Sequence, residues 1–195
     1  DQNFQVFIPR NANNYYQVKI LEHVSFTNGR YRDEGFDSAS SASPTIVRSS
    51  LFVNTPISIS SQPIEFTGNT LVSSEDEFDQ ISLSAAGGGL SSILERNKII
   101  GYDLQIEGQF SSISNNIFST GEVDLNSWKS YYFGVYNQGT SDILFEKNQV
   151  INYRKRSFEN SFYFRRNTPK KVLNNLFRSN ELEPRNSSLT LVNLY

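Results

Sequence analysis

Residues 93–99 read Ile-Leu-Glu-Arg-Asn-Lys-Ile, and residues 113–118 read Ile-Ser-Asn-Asn-Ile-Phe. An Ile opens each phrase, an Asn stands near its middle, and apolar residues close it. The same phrase returns at 20–26 (ILEHVSF), 46–52 (IVRSSLF) and 64–71 (IEFTGNTL). It recurs again at 143–150 (ILFEKNQV) and 172–177 (VLNNLF). The opening residues Ile20, Ile46, Ile64, Ile93, Ile113, Ile143 and Val172 are 26, 18, 29, 20, 30 and 29 residues apart. Spacings in that range suit one coil of a parallel β-solenoid whose loops vary in size. The phrases are short, rich in Ile, Val, Phe and Tyr, and separated by Ser, Asn and Gly, which reads as strand and turn. No window sustains the i, i+3, i+4, i+7 pattern of an amphipathic helix.

The polar position inside the phrase is held by His23, Ser50, Asn69, Asn97, Asn116, Asn148 and Asn175. Asn accepts left-handed backbone conformations and bonds its local backbone, so it is expected at a sharp bend between two strands. Stacked coils lie about 4.8 Å apart, so one Asn per coil predicts a ladder of side-chain amides, each bonding the coils on either side. The five asparagines 69, 97, 116, 148 and 175 are its expected members. Seven coils predict a rod about 35 Å long. The chain is therefore expected to be all-β, a single right-handed parallel β-helix of about seven coils with long loops. Residues 1–195 form one such domain or a segment of a longer solenoid. An antiparallel β-sandwich is the alternative, but it needs regular hairpin turns that the sequence lacks.

The triplets Asn69-Thr70-Leu71, Asn97-Lys98-Ile99, Asn116-Ile117-Phe118, Asn148-Gln149-Val150 and Asn175-Leu176-Phe177 share the form Asn-x-apolar. In this the chain resembles the right-handed parallel β-helix superfamily, the pectate-lyase-like and NosD-like repeat proteins, over residues 17–180. That resemblance implies an architecture and several roles: polysaccharide lyases and hydrolases, phage tailspikes, and passenger domains of bacterial surface proteins. A narrower likeness is to the chlamydial polymorphic outer-membrane proteins, which repeat F-x-x-N-[ST] and G-G-A-[ILV]. Phe66-Thr67-Gly68-Asn69-Thr70 matches the first form, and Phe145-Glu146-Lys147-Asn148 matches it until Gln149. Gly87-Gly88-Gly89-Leu90 approaches the second but lacks its Ala.

Composition narrows the chemistry. The 195 residues carry 18 Lys+Arg against 20 Asp+Glu, a net charge of −2 that makes no general case for nucleic acid. Cysteine is absent and there is a single His, which excludes disulfides, thiolate zinc sites and multi-histidine metal sites. No run approaches 18 apolar residues, so no membrane-inserting helix is expected. No Met occurs, not even at position 1, which points to a processed or excised chain. No cofactor and no metal are expected.

The candidate sites lie in the four expected loops, 28–44, 73–92, 119–141 and 152–171. Trp128, Tyr131 and Tyr132 could stack on sugars if exposed, or pack on the rod if not. Residues 147–185 hold ten Lys+Arg and three Glu, a net +7, whereas 1–146 hold eight basic and seventeen acidic residues, a net −9. In the basic stretch Tyr153, Arg154, Arg156, Arg165 and Arg166 interleave with aromatics, a composition that can hold an acidic polysaccharide or protein. The charge asymmetry also favours head-to-tail contact with other copies or neighbouring modules. The acidic run 75–79 is a solvated loop or a Ca²⁺ ligand set without EF-hand spacing. Among Glu95, Asp103, Glu107, Glu122 and Asp124, sequence identifies no pair that faces across a groove as glycoside hydrolysis needs. His23 reads as a ladder terminus rather than a general base, and no residue is assigned a catalytic role. The sequon Asn186-Ser187-Ser188 matters only on a eukaryotic secretory route.

Residues 4–8 (FQVFI) and 189–195 (LTLVNLY) read as strands of incomplete outer coils. The expected function is a structural or adhesive rod segment of an extracellular or cell-surface assembly, with no enzyme activity assigned to it. A carbohydrate-binding or carbohydrate-cleaving β-helix, tailspike-like or lyase-like, is the alternative.

Overall fold

The structure is a computed structural model. It describes residues 4–8, 19–33, 44–61, 63–74, 80–85, 91–119, 133–136, 143–151, 162–165, 171–178 and 193–194. Strand β1 (Phe4–Ile8) precedes seven similar passes of the chain. The first holds β2 (Lys19–Glu22), β3 (Ser25–Thr27) and β4 (Gly29–Asp33). The second holds β5 (Thr45–Arg48), β6 (Leu51–Val53) and β7 (Ile57–Ser60), and the third β8 (Ile64–Thr67), β9 (Thr70–Val72) and β10 (Gln80–Ala85). The fourth holds β11 (Ser92–Glu95), β12 (Lys98–Ile100) and β13 (Asp103–Gly108). The fifth holds β14 (Phe110–Ser114), β15 (Ile117–Ser119) and β16 (Phe133–Tyr136). The sixth holds β17 (Leu144–Glu146), β18 (Gln149–Ile151) and β19 (Phe162–Arg165). The seventh holds β20 (Lys171–Leu173), β21 (Leu176–Arg178) and β22 (Asn193–Leu194).

Every third strand joins the same sheet. Sheet A runs β1-β4-β7-β10-β13-β16-β19-β22, sheet B runs β2 to β20, and sheet C runs β3 to β21. Among the described residues every strand pairing is parallel and no helix occurs, as a solenoid requires. The segments expected as long loops each contain a sheet A strand: β4, β10, β16 and β19 lie inside 28–44, 73–92, 119–141 and 152–171.

Alternation along each strand puts every second residue inside. The inward column of sheet B is Leu21, Val47, Phe66, Leu94, Ile113, Phe145 and Val172. That of sheet C is Phe26, Phe52, Leu71, Ile99, Phe118, Val150 and Phe177. Between the second and sixth coils these residues are buried, and at the first step of the sheet C column the Phe26 and Phe52 rings stack at 5.2 Å. The openings of the sequence phrases are not one column. Ile20, Ile46 and Ile93 share the outward column with Glu65 and Ser112, and Ile20 is 56% exposed. Ile113 and Val172 are inward, while Ile64 is buried one step earlier, in register with Thr45. A strand reverses its face every residue, so a one-residue misalignment of the repeat exchanged inside for outside.

The corner from sheet B to sheet C always has two residues, from His23-Val24 to Asn174-Asn175. The first is the left-handed one: φ is positive at His23, Ser49, Gly68, Arg96, Asn115, Lys147 and Asn174. The second carries the ladder. His23 is therefore not the ladder residue of its coil, and Val24 is. The ladder asparagines owe their place to their amides, because the left-handed turn is made by the residue before them.

Candidate functional site

The ladder is continuous from Asn69 to Asn175. Asn69 Oδ1 accepts from Ser50 N–H at 3.0 Å, and from Asn97 on each Oδ1 accepts twice from the preceding ladder residue: Asn97 takes Asn69 N–H at 2.9 Å and Nδ2–H at 3.1 Å, and Asn116 takes Asn97 N–H at 2.9 Å and Nδ2–H at 3.0 Å. Asn148 and Asn175 repeat the pattern at 2.9–3.1 Å. Each Nδ2 also donates at 2.8 Å to the carbonyl of an inward sheet B residue one coil back, from Val47 O to Phe145 O. One side chain thus binds three coils and saturates its amide in a buried place, which is the condition for a polar group to be stable there. The ladder closes at its N-terminal side. Ser50 Oγ accepts from Val24 N–H at 3.3 Å but turns its own proton back to Arg48 O at 2.9 Å.

A second buried polar line runs along the corner from sheet C to sheet A. The Tyr102 ring is buried, and its hydroxyl accepts from Thr55 N–H at 3.1 Å across an intervening coil. Gly101 has φ +79°, and a Cβ there would stand 2.2 Å from Ser73 O, so this close passage requires glycine.

The outer face of sheet A is polar between the second and fourth coils. Ser58, Ser82 and Gln105 form one outward column and Ser60, Ser84 and Glu107 the next. Gln80 Nε2 donates to Gln105 Oε1 at 3.2 Å, and Gln105 Nε2 donates to Glu107 Oε1. Asp103 lies on the same face, and burial raises its carboxyl to a pKa of about 6. Asp103 and Glu107 are four residues apart on one strand, about 13 Å, beyond the 5–10 Å of paired glycosidase carboxylates. Glu95 belongs to sheet B, where it accepts from Ser112 Oγ at 2.8 Å.

Of the residues singled out from sequence, the five asparagines 69, 97, 116, 148 and 175 lie in one hydrogen-bonded line. Arg165 enters sheet A in register with Tyr136, which pairs with Glu107. Trp128, Tyr131, Tyr132, Tyr153, Arg154, Arg156 and Arg166 lie outside the described residues, as do Glu122, Asp124, Asn186 and the acidic run 75–79. His23 is 74% exposed, with Nε2 3.6 Å from Glu22 Oε1. Arg48 Nη2 donates to Glu22 Oε2 at 3.0 Å, which holds the Glu22 carboxyl below the usual carboxylate range. Among the described residues no group of three or more His, Asp or Glu could hold a metal, and no helix is long and apolar enough to cross a membrane. The Gln80-Gln105-Glu107 line was missed from sequence. Its signal was the Ile-Ser-Ile-Ser and Ile-Ser-Leu-Ser alternation at 57–60 and 81–84.

Comparison with family models, with curated proteins and with solved structures finds no match.

Proposed function

We propose that this chain is a right-handed parallel β-helix rod, of the pectate-lyase-like and NosD-like kind, serving as a structural or adhesive module of an extracellular surface assembly. Right-handedness follows the strong rule for crossovers between parallel strands. The observation that carries the reading is the unbroken amide line from Asn69 to Asn175. It commits the most regular corner of the chain to rigidity, and rigidity along one axis is what a spacer or display rod needs. The partners are neighbouring modules of such an assembly, met at the ends or through the loops.

A second reading, carbohydrate binding or cleavage, is favoured by one feature, the polar outer face of sheet A with its Gln80-Gln105-Glu107 line. Incubation with neutral and acidic polysaccharides, following co-sedimentation and polymer length, separates the two. No binding and no shortening are expected for a structural rod. Shortening would overturn it in favour of an enzyme, and binding without shortening would make the rod a glycan adhesin.

A further inference from the structure

Sheet C is apolar on both of its faces. Its strands read Leu-Phe-Val at 51–53, Thr-Leu-Val at 70–72, Lys-Ile-Ile at 98–100 and Gln-Val-Ile at 149–151, and only the middle residue of each turns inward. The outer face therefore carries Val53, Val72, Ile100 and Ile151, all half-buried, in one column. Near-continuous apolar strands of this kind belong to parallel sheets that are covered on both sides. None of the described strands of sheet C contains Asp or Glu, and Lys98 and Arg178 stand exposed on its outer face. The outer face of sheet B has the opposite charge. One of its columns holds Ile46, Glu65, Ile93, Ser112 and Leu144, and the next holds Glu95 and Glu146.

The two faces match coil by coil. In two parallel rods the chain circulates in the same sense, so opposed faces meet with their strands antiparallel. The first outward residue of a sheet B strand then meets the second outward residue of a sheet C strand, and the reverse. With the rods level, Ile46 would meet Val53, Ile93 would meet Ile100, and Leu144 would meet Ile151. In the neighbouring column Glu95 would meet Lys98. The mismatches are Glu65 on Val72 and Lys171 on Arg178. Sliding one rod by a coil either way parts Glu95 from Lys98 and sets Leu144 against Arg178 or Ser119.

We infer that a second copy of this chain docks side by side, the outer face of its sheet C on the outer face of sheet B, with the two rods parallel and level. This goes beyond the rod reading, which places partners at the ends and in the loops. Sheet C on sheet C would leave Lys98 without a counter-charge, and sheet B on sheet B would bring glutamates together. Seven strands about 4.8 Å apart and three residues of about 3.3 Å give a facing area of roughly 340 Å², below the ~800 Å² per partner of a stable pair. A single contact is therefore weak. It is also heterologous, so each copy offers both faces and can make the contact twice.

Sedimentation velocity of the full chain is expected to show association that grows with concentration. Ile93→Glu closes one face and Ile100→Glu the other. Glu65 already stands in the column of Ile93, and Ser119 in that of Ile100, so both variants are expected to keep the circular dichroism of the parent. Each variant alone is expected to stay monomeric. Their equimolar mixture is expected to form a one-to-one pair and nothing larger, because one contact between intact faces remains. Glu95→Lys is expected to weaken association by about tenfold or more, and adding Lys98→Glu to it to restore association. A parent chain that is monomeric at every concentration, association that survives in either single Ile variant, or a mixture no larger than its components overturns the side-by-side contact. A double variant as weak as Glu95→Lys overturns the level register. None of these results touches the rod reading, which fails separately if an interior ladder substitution leaves the melting temperature unchanged.

Discussion

Asn116→Ala is the sharpest probe of the ladder. The side chain is fully buried. It donates to Leu94 O at 2.8 Å and Asn148 Oδ1 at 2.9 Å, and it accepts from Asn97 N–H at 2.9 Å and Asn97 Nδ2 at 3.0 Å. Alanine removes all four bonds. Asn148 Oδ1 keeps Asn116 N–H and Asn97 Nδ2 keeps Phe66 O, so those two groups are only weakened. Asn97 N–H and Leu94 O lose these partners. At ~1–3 kcal/mol for each buried group left bare, the loss is about 4 kcal/mol. For a chain of this size that is a fall of roughly 8–16 °C in melting temperature. Asn175→Ala is the internal control. It removes three bonds at a half-buried site that water reaches, so the loss is about 1 kcal/mol. Urea and thermal unfolding followed by circular dichroism measure both. If Asn116→Ala cost no more than Asn175→Ala, the amide line would not hold the coils together and the argument from it would collapse.

Gly101→Ala should cost several times more than Gly68→Ala, because both have positive φ but only Gly101 would drive a Cβ into a carbonyl oxygen; at Gly68 the nearest atoms are 3.9 Å away. Gly68→Ala alone is worth about 1 kcal/mol, and equal melting temperatures for the two variants would contradict the close passage. Tyr102→Phe should lose about 1–2 kcal/mol by baring Thr55 N–H, read in the same unfolding experiment, with no loss meaning that the N–H finds another acceptor. Asp103 has its folded pKa raised to about 6, above the unfolded carboxylate value, so its ionised form opposes folding above that pH and the penalty fades as pH falls towards 4. Asp103→Asn should therefore stabilise the chain at pH 8 and make little difference at pH 4; a pH-independent effect would refute burial as the cause.

The solenoid was legible in the sequence because each ladder Asn is followed by an outward and then an inward residue, a three-residue signal that chain length between coils cannot blur. Register was not legible. Ile20, Ile46 and Ile93 look like core residues by composition, yet they face outward, and only strand pairing tells the two faces apart. His23 was misplaced for the same reason, one residue from Val24. Four strands of sheet A hid inside the expected loops, because strands such as β10 and β16 are set off by segments of different length and no Asn marks them.

The corner between sheets B and C keeps two residues in all seven coils, whereas the other corners do not hold a length. From sheet C to sheet A the connection ranges from Asn28 alone to the fourteen residues 179–192, and from sheet A back to sheet B it ranges from Gln109 alone to the eleven residues 34–44. The molecule therefore separates heredity into two compartments. One residue inserted beside Asn97 puts that coil's amide out of line with Asn69 and Asn116, while ten residues inserted after Ser119 leave the ladder untouched. New sequence can accumulate only along the two borders of sheet A, and the face between those borders is where this architecture is free to acquire new chemistry.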